Sequence, residues 1–202
     1  MDLKFYFKKQ YEFQMGNIPF LKNKDYNFQI DEIDRLNQVE ASNDLRYMEN
    51  LEEFSFDELD HELALQIKSA LTQVFDQTTP IVSLYLYLPQ DKFRLSKGTY
   101  LCTNTKLIKV TSSNWIDMKS QSKNCTLIIA CKLDKAVILG RRGLVSALKQ
   151  AGALEQILKV KLGVRDKDIG SYQAIVNLNV LAFDAGLNIN EIVILGVINL
   201  KG

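Results

Sequence analysis

Ile81-Val82-Ser83-Leu84-Tyr85-Leu86-Tyr87-Leu88-Pro89 is the stretch that decides the fold. Its period is two: Val82, Leu84, Leu86 and Leu88 point one way, and Ile81, Ser83, Tyr85 and Tyr87 the other. That is a strand with one aliphatic face, and Pro89 ends it because proline supplies no ladder donor. Downstream, Thr99–Cys102 and Lys106–Val110 read as a second pair of short strands turning through Thr103-Asn104-Thr105. Residues 111–124 are polar and loop-like, anchored only by Trp115 and Met118, and a buried strand follows at Thr126–Cys131.

The flanking segments change period. Ser55-Phe56-Asp57-Glu58 has the form of a capping box, in which hydroxyl and carboxylate satisfy amide donors at a helix start. The predicted helix carries Leu59, Leu63, Ile67, Leu71 and Val74 at near-helical steps, with Ala70 beside them. His61 lies off this stripe and reads as solvated, since no acid or nucleophile is spaced to serve it. A second long helix shows in Leu144, Ala147, Leu148, Ala151, Leu154 and Leu158. Gly152 inside it costs about 1 kcal/mol relative to alanine, so a close approach of backbone or ligand is expected there. After Leu162-Gly163 come a polar connector, Arg165–Asp168, then Ile169-Gly170-Ser171-Tyr172 and a short helix. The run Ile192–Ile198 reads as a central strand covered on both faces. The order predicts an α+β sandwich with a mostly antiparallel central sheet flanked by helices.

Composition narrows the function classes. The 202 residues, 47% hydrophobic, suffice for a single domain, residues 46–202, preceded by an aromatic-rich arm, residues 1–45. Lys plus Arg number 25 and Asp plus Glu 24, so no global field draws the chain to nucleic acid. The three cysteines, Cys102, Cys125 and Cys131, make no disulfide framework, and one histidine with scattered cysteines makes no metal-ligand spacing. Residues 1–9 lack the form of a signal peptide, and no apolar run reaches the ~18 residues a span needs, so a cytoplasmic protein is expected.

The stretch Lys132–Gly143 and the helix after it resemble the nitroreductase-like azoline dehydrogenases of peptide natural-product maturation. In that family a Gly-x-Arg-Gly element opens a long helix containing Ala-Gly and then Gln. The matching residues are Gly140, Arg142, Gly143, Ala151, Gly152 and Gln156. Leu162-Gly163, Ile169-Gly170-Ser171-Tyr172 and Leu181-Ala182-Phe183-Asp184 are similar to later landmarks, and Ser83–Leu88 with Lys97-Gly98-Thr99-Tyr100 to an earlier strand and hairpin. The resemblance covers residues 46–200 through the order and spacing of weak motifs.

It implies an FMN-binding fold that oxidises peptide thiazolines or oxazolines to azoles. The implied partners are a second copy in a homodimer, or a heteromer with a cyclodehydratase, and a bacteriocin or thiopeptide precursor peptide. The implied flavin contacts are Arg46 at the phosphate, Thr78, Thr79, Gly170 and Ser171 around the ring, and Arg142 at the helix start.

The chain also departs from the family. A Lys-Tyr pair that handles the substrate proton is replaced by Ile138 and Leu139, neither of which transfers a proton. Lys135 is the substitute at hand, weighed against the commoner case of a solvated surface lysine. Only Arg46 remains of an Arg-x-Ser-x-Arg phosphate element, and the small residues against the ring become Gln77–Ile81. Three readings stay open: an active dehydrogenase, a flavin-free structural subunit of the same complex, and a flavin reductase on another substrate.

Overall fold

The computed structural model describes residues 52–75, 81–111, 116, 124–163, 169–171, 178–188 and 191–200. The expected arm, residues 1–45, and the domain start at 46 lie outside them. Among the described residues there are seven strands, β1 (Glu53–Ser55), β2 (Val82–Leu88), β3 (Gly98–Cys102), β4 (Lys106–Thr111), β5 (Thr126–Lys132), β6 (Ile169–Ser171) and β7 (Ile192–Asn199). There are four α-helices, α1 (His61–Phe75), α2 (Leu133–Ile138), α3 (Gly140–Leu162) and α4 (Leu178–Asp184). The strands form one sheet in the order β1-β4-β3-β2-β5-β7-β6, with every pairing antiparallel. This is the α+β sandwich expected from the sequence.

Strand β2 lies at the centre, with Leu84 opposite both Cys102 and Ile129, and Tyr85 opposite both Leu101 and Ile128. Period two therefore sends Val82, Leu84, Leu86 and Leu88 into one core, shared with Leu63, Ile67 and Leu71 of α1 and Ala147, Leu154 and Leu158 of α3. Each fully buried leucine or isoleucine here contributes about 2 kcal/mol by leaving water. Tyr85 and Tyr87 enter a second core on the opposite face, with Ile116, Ile128, Leu181, Ala182, Ala185 and Val197. All seven residues of β2 are buried, so its tyrosine face is covered as fully as its aliphatic one.

The capping box forms, but it closes a single 3-10 turn, Phe56–Glu58, and not α1. The Asp57 amide donates to Ser55 Oγ at 3.2 Å and the Ser55 amide to Glu58 Oε1 at 3.1 Å. Leu59 is extended, which breaks the helix, and α1 starts afresh with the Leu63 amide donating to Asp60 Oδ1 at 3.4 Å. His61 is exposed.

Helix α3 runs about a turn beyond the apolar stripe at each end. It stops at Gly163, whose left-handed φ of 59° lets its amide reach back to the last-turn carbonyls, and Lys159 and Lys161 complement the helix dipole there. Between β2 and β3, a two-residue turn joins Lys92 and Leu95, which exchange both backbone hydrogen bonds at 3.0 Å. No helix among the described residues is long and apolar enough to cross a membrane.

Candidate functional site

Strand β5 leads directly into α2, and α2 into α3, with Leu139 as the shared cap. The joint is held by a glycine: a Cβ on Gly143 would fall 2.2 Å from the Ala136 carbonyl oxygen, so the two helices can meet only where residue 143 has no side chain. That contact is the physical reason for the second glycine of Gly140-Arg141-Arg142-Gly143. Gly152, where a close approach was expected, is exposed, and a Cβ there would meet nothing within 4 Å. The close approach belongs to Gly143 because the helix turns its Gly152 side to solvent.

Lys135 lies on the inner side of α2 with Leu133 and Ala136 and is only 3% exposed. The surface-lysine reading is therefore wrong: packing of α2 between β5 and the start of α3 withdraws this side chain from water. A lysine this deep is rare in a fold and stands where its chemistry or its partners require it. Ile138 is 37% exposed, whereas Leu139 packs against the main core. Arg142, in the first turn of α3, is exposed.

A second group of candidates gathers at the outer edge of the sheet. Gly170 and Ser171 belong to β6, the terminal strand, opposite Val197 and Gly196 of β7. The register between β5 and β7 slips at this point, with Ile129 opposite Gly196 but Ala130 opposite Ile194, so Leu195 is the extra residue of a bulge. The bulge turns the Gly196 position towards α3. There the Glu155 carboxylate fills the space of the missing side chain: a Cβ on Gly196 would sit 2.8 Å from Glu155 Oε2. Burial pushes the Glu155 carboxyl above its ordinary value, and Lys159, one helical turn on, works against that shift.

The structure thus separates the candidates. Lys135 and Arg142 flank the α2–α3 joint, near the Lys132–Ile192 end of the β5–β7 ladder. Ser171 and Gly170 pair with residues about 13 and 17 Å further along β7, at roughly 3.3 Å per residue. Arg46, Thr78 and Thr79 lie outside the described residues. Glu155 was missed in the sequence because it stands just beside the apolar stripe. The available signal was Gly196, the one residue without a side chain inside an unbroken apolar run, since a strand-interior glycine marks close approach.

The cysteines are packing residues. Burial pushes the Cys102 and Cys131 thiols up to about 12 and raises that of Cys125, which leaves no thiolate to act as a nucleophile near neutral pH.

The class defined by this architecture is an α+β sandwich with a seven-stranded antiparallel sheet among the described residues. No protein-family model matches the chain, and no curated protein matches its sequence. Among solved structures, it is similar to a chain of the E. coli microcin synthetase McbBCD complex with truncated pro-MccB17 bound. The TM-score is 0.49 at 13% identity, over 95% of this chain and 80% of that one. Likeness at this level transfers no residue's role from one chain to the other.

Proposed function

We propose that this chain is an FMN-dependent dehydrogenase that oxidises thiazoline or oxazoline rings of a ribosomal peptide to azoles, working within a maturation complex. One observation carries the reading: a lysine, Lys135, is buried beside the glycine-locked joint that opens α3, on the segment where the azoline dehydrogenase resemblance expects a proton-handling group. Oxidising the ring to an azole removes one hydride and one proton. FMN, when bound, supplies the two-electron acceptor. The remaining work falls to the chain. Lys135 takes the ring proton at Nζ, in place of the Lys-Tyr pair that Ile138 and Leu139 have replaced.

What supports this cofactor is the chemistry of single residues on the chain. Arg142 is exposed and offers a planar fork suited to phosphate, as Arg46 does by its residue type. Gly170 and Ser171 sit on a strand with no further neighbour among the described residues, which leaves backbone groups at the sheet edge for a ring edge to meet. Thr78 and Thr79, outside the described residues, are proposed for the ring through their hydroxyls.

A second reading is favoured by Ile138 and Leu139: one is half in solvent and the other is core, and neither moves a proton. On that reading the chain is a flavin-free structural subunit of the same complex, docked to a cyclodehydratase. Purification without added flavin, followed by FMN titration monitored by absorbance and flavin fluorescence, separates the two. Saturable quenching near one FMN per chain, weakened in Arg142→Ala, supports the dehydrogenase. No binding at high FMN excludes it and leaves the structural subunit. If FMN binds, Lys135→Met should retain it and lose turnover of a thiazoline peptide.

A further inference from the structure

The turn at Lys92–Leu95 breaks a local rule, and the described residues show a return for only one of its two central residues. Both of its central residues are left-handed, Phe93 with φ of 54° and Arg94 with φ of 67°. Two-residue hairpin turns of this kind favour Asn-Gly, because a Cβ crowds the backbone whenever φ is positive. Phe93 has a structural reason to be there. Its ring packs against the main core, its carbonyl accepts the Asp60 amide at 3.0 Å just ahead of α1, and the Lys92 ammonium lies 5.1 Å above its ring.

Arg94 has none. Its side chain is exposed, and its guanidinium makes no hydrogen bond or ion pair among the described residues. The acids nearby are engaged locally: Asp91 Oδ1 accepts the Lys97 amide at 2.8 Å, and Asp60 Oδ1 accepts the Leu63 amide. Lys92 and Lys97, both half-buried, stand on either side of the turn tip. Among the described residues the fold therefore holds a strained guanidinium without a partner at a turn tip, pinned from behind by the core and set between two half-buried lysines.

We infer that the Lys92–Lys97 turn is a docking point for an acidic peptide segment, with Arg94 gripping a carboxylate side chain of that segment. Local strain retained at an exposed residue with no partner in the fold is characteristic of binding positions. A guanidinium fork matches a carboxylate in two parallel hydrogen bonds, which an ammonium cannot do. The site stands whether or not the chain holds FMN, because no proposed flavin contact belongs to this turn.

The test pairs affinity with stability in the full chain. A fluorescein-labelled, end-blocked hexaglutamate peptide is titrated by anisotropy at low salt against wild type, Arg94→Gly and Arg94→Lys, with hexaglutamine and inorganic phosphate as competitors. Arg94→Gly should raise Tm by about 3 °C, because glycine relieves the positive φ, and weaken hexaglutamate binding by on the order of tenfold. Arg94→Lys should melt like wild type and also bind more weakly. Equal binding by wild type and Arg94→Gly, or no binding by wild type, overturns the inference. Competition by hexaglutamine shows that charge is not read, and competition by phosphate at matched charge shows a general anion site; either overturns the assignment to an acidic peptide.

Discussion

The two faces of the central sheet are closed by different physics. On one, α1 and α3 press leucine, isoleucine and alanine onto Leu84, Leu86 and Leu88, and the interface is almost wholly apolar. On the other, Tyr85 and Tyr87 lie beneath α4, and two threonines finish the contact: Thr99 and Thr111 both donate their hydroxyls to the Ala185 carbonyl, at 2.7 and 2.8 Å. Ala185 follows the last residue of α4, where carbonyls run out of helical donors, so the sheet caps the helix. The first face tolerates rearrangement only through volume. The second is also set by direction, because a hydrogen bond from each threonine fixes where α4 must end.

That difference is testable, beginning with the change expected to matter most. On the apolar side, Gly143→Ala drives a methyl group into the Ala136 carbonyl and should cost about 3 kcal/mol in urea denaturation. A loss of only a few tenths would show that α2 and α3 slide apart freely.

On the polar side, Thr99→Val and Thr111→Val should each cost about 1 kcal/mol. The double substitution should cost more than their sum, because only then does the Ala185 carbonyl lose both donors. Simple additivity in the double-mutant cycle would mean that the two bonds act independently and that direction counts for little.

Gly152→Ala probes the exposed side of the same α3. With nothing within 4 Å of the new methyl group, it should stabilise the protein by about 1 kcal/mol, opposite in sign to Gly143→Ala. A destabilisation would place a neighbour against this side of α3.

The smallest effect concerns Glu155. Its carboxyl is raised in the folded state, so its contribution to stability is fully present below the ordinary carboxylate value and is lost as pH rises through the folded one. Over that window wild type should lose stability relative to Glu155→Gln, with little difference in more acid solution. Parallel stability curves for the two proteins would show that the carboxylate over Gly196 is as well solvated as in the unfolded chain.

Much of the architecture was legible because local periodicity and burial agree. The strands around Ile81–Leu88, Thr99–Val110, Thr126–Cys131 and Ile192–Ile198 all appear, since each carries enough apolar or β-branched surface to choose the extended state. The site was less legible. Lys135 looked like a surface residue because a lysine's burial depends on what packs over it, and α3 begins several residues later in the chain. The capping box was recognised correctly as chemistry but assigned to the wrong helix, since the extended backbone of Leu59 cannot be read from residue types.

By itself the sequence determined the period of each element, the aliphatic face of β2 and the inert character of the cysteines. These follow from side-chain size, polarity and backbone sterics, which act within a few residues. Only the tertiary structure decided which glycine is obligatory, that the tyrosine face is buried under α4, that Lys135 is drawn out of water and that Glu155 is half-buried over Gly196. Those outcomes depend on which surfaces meet, and residues distant in the chain set that together.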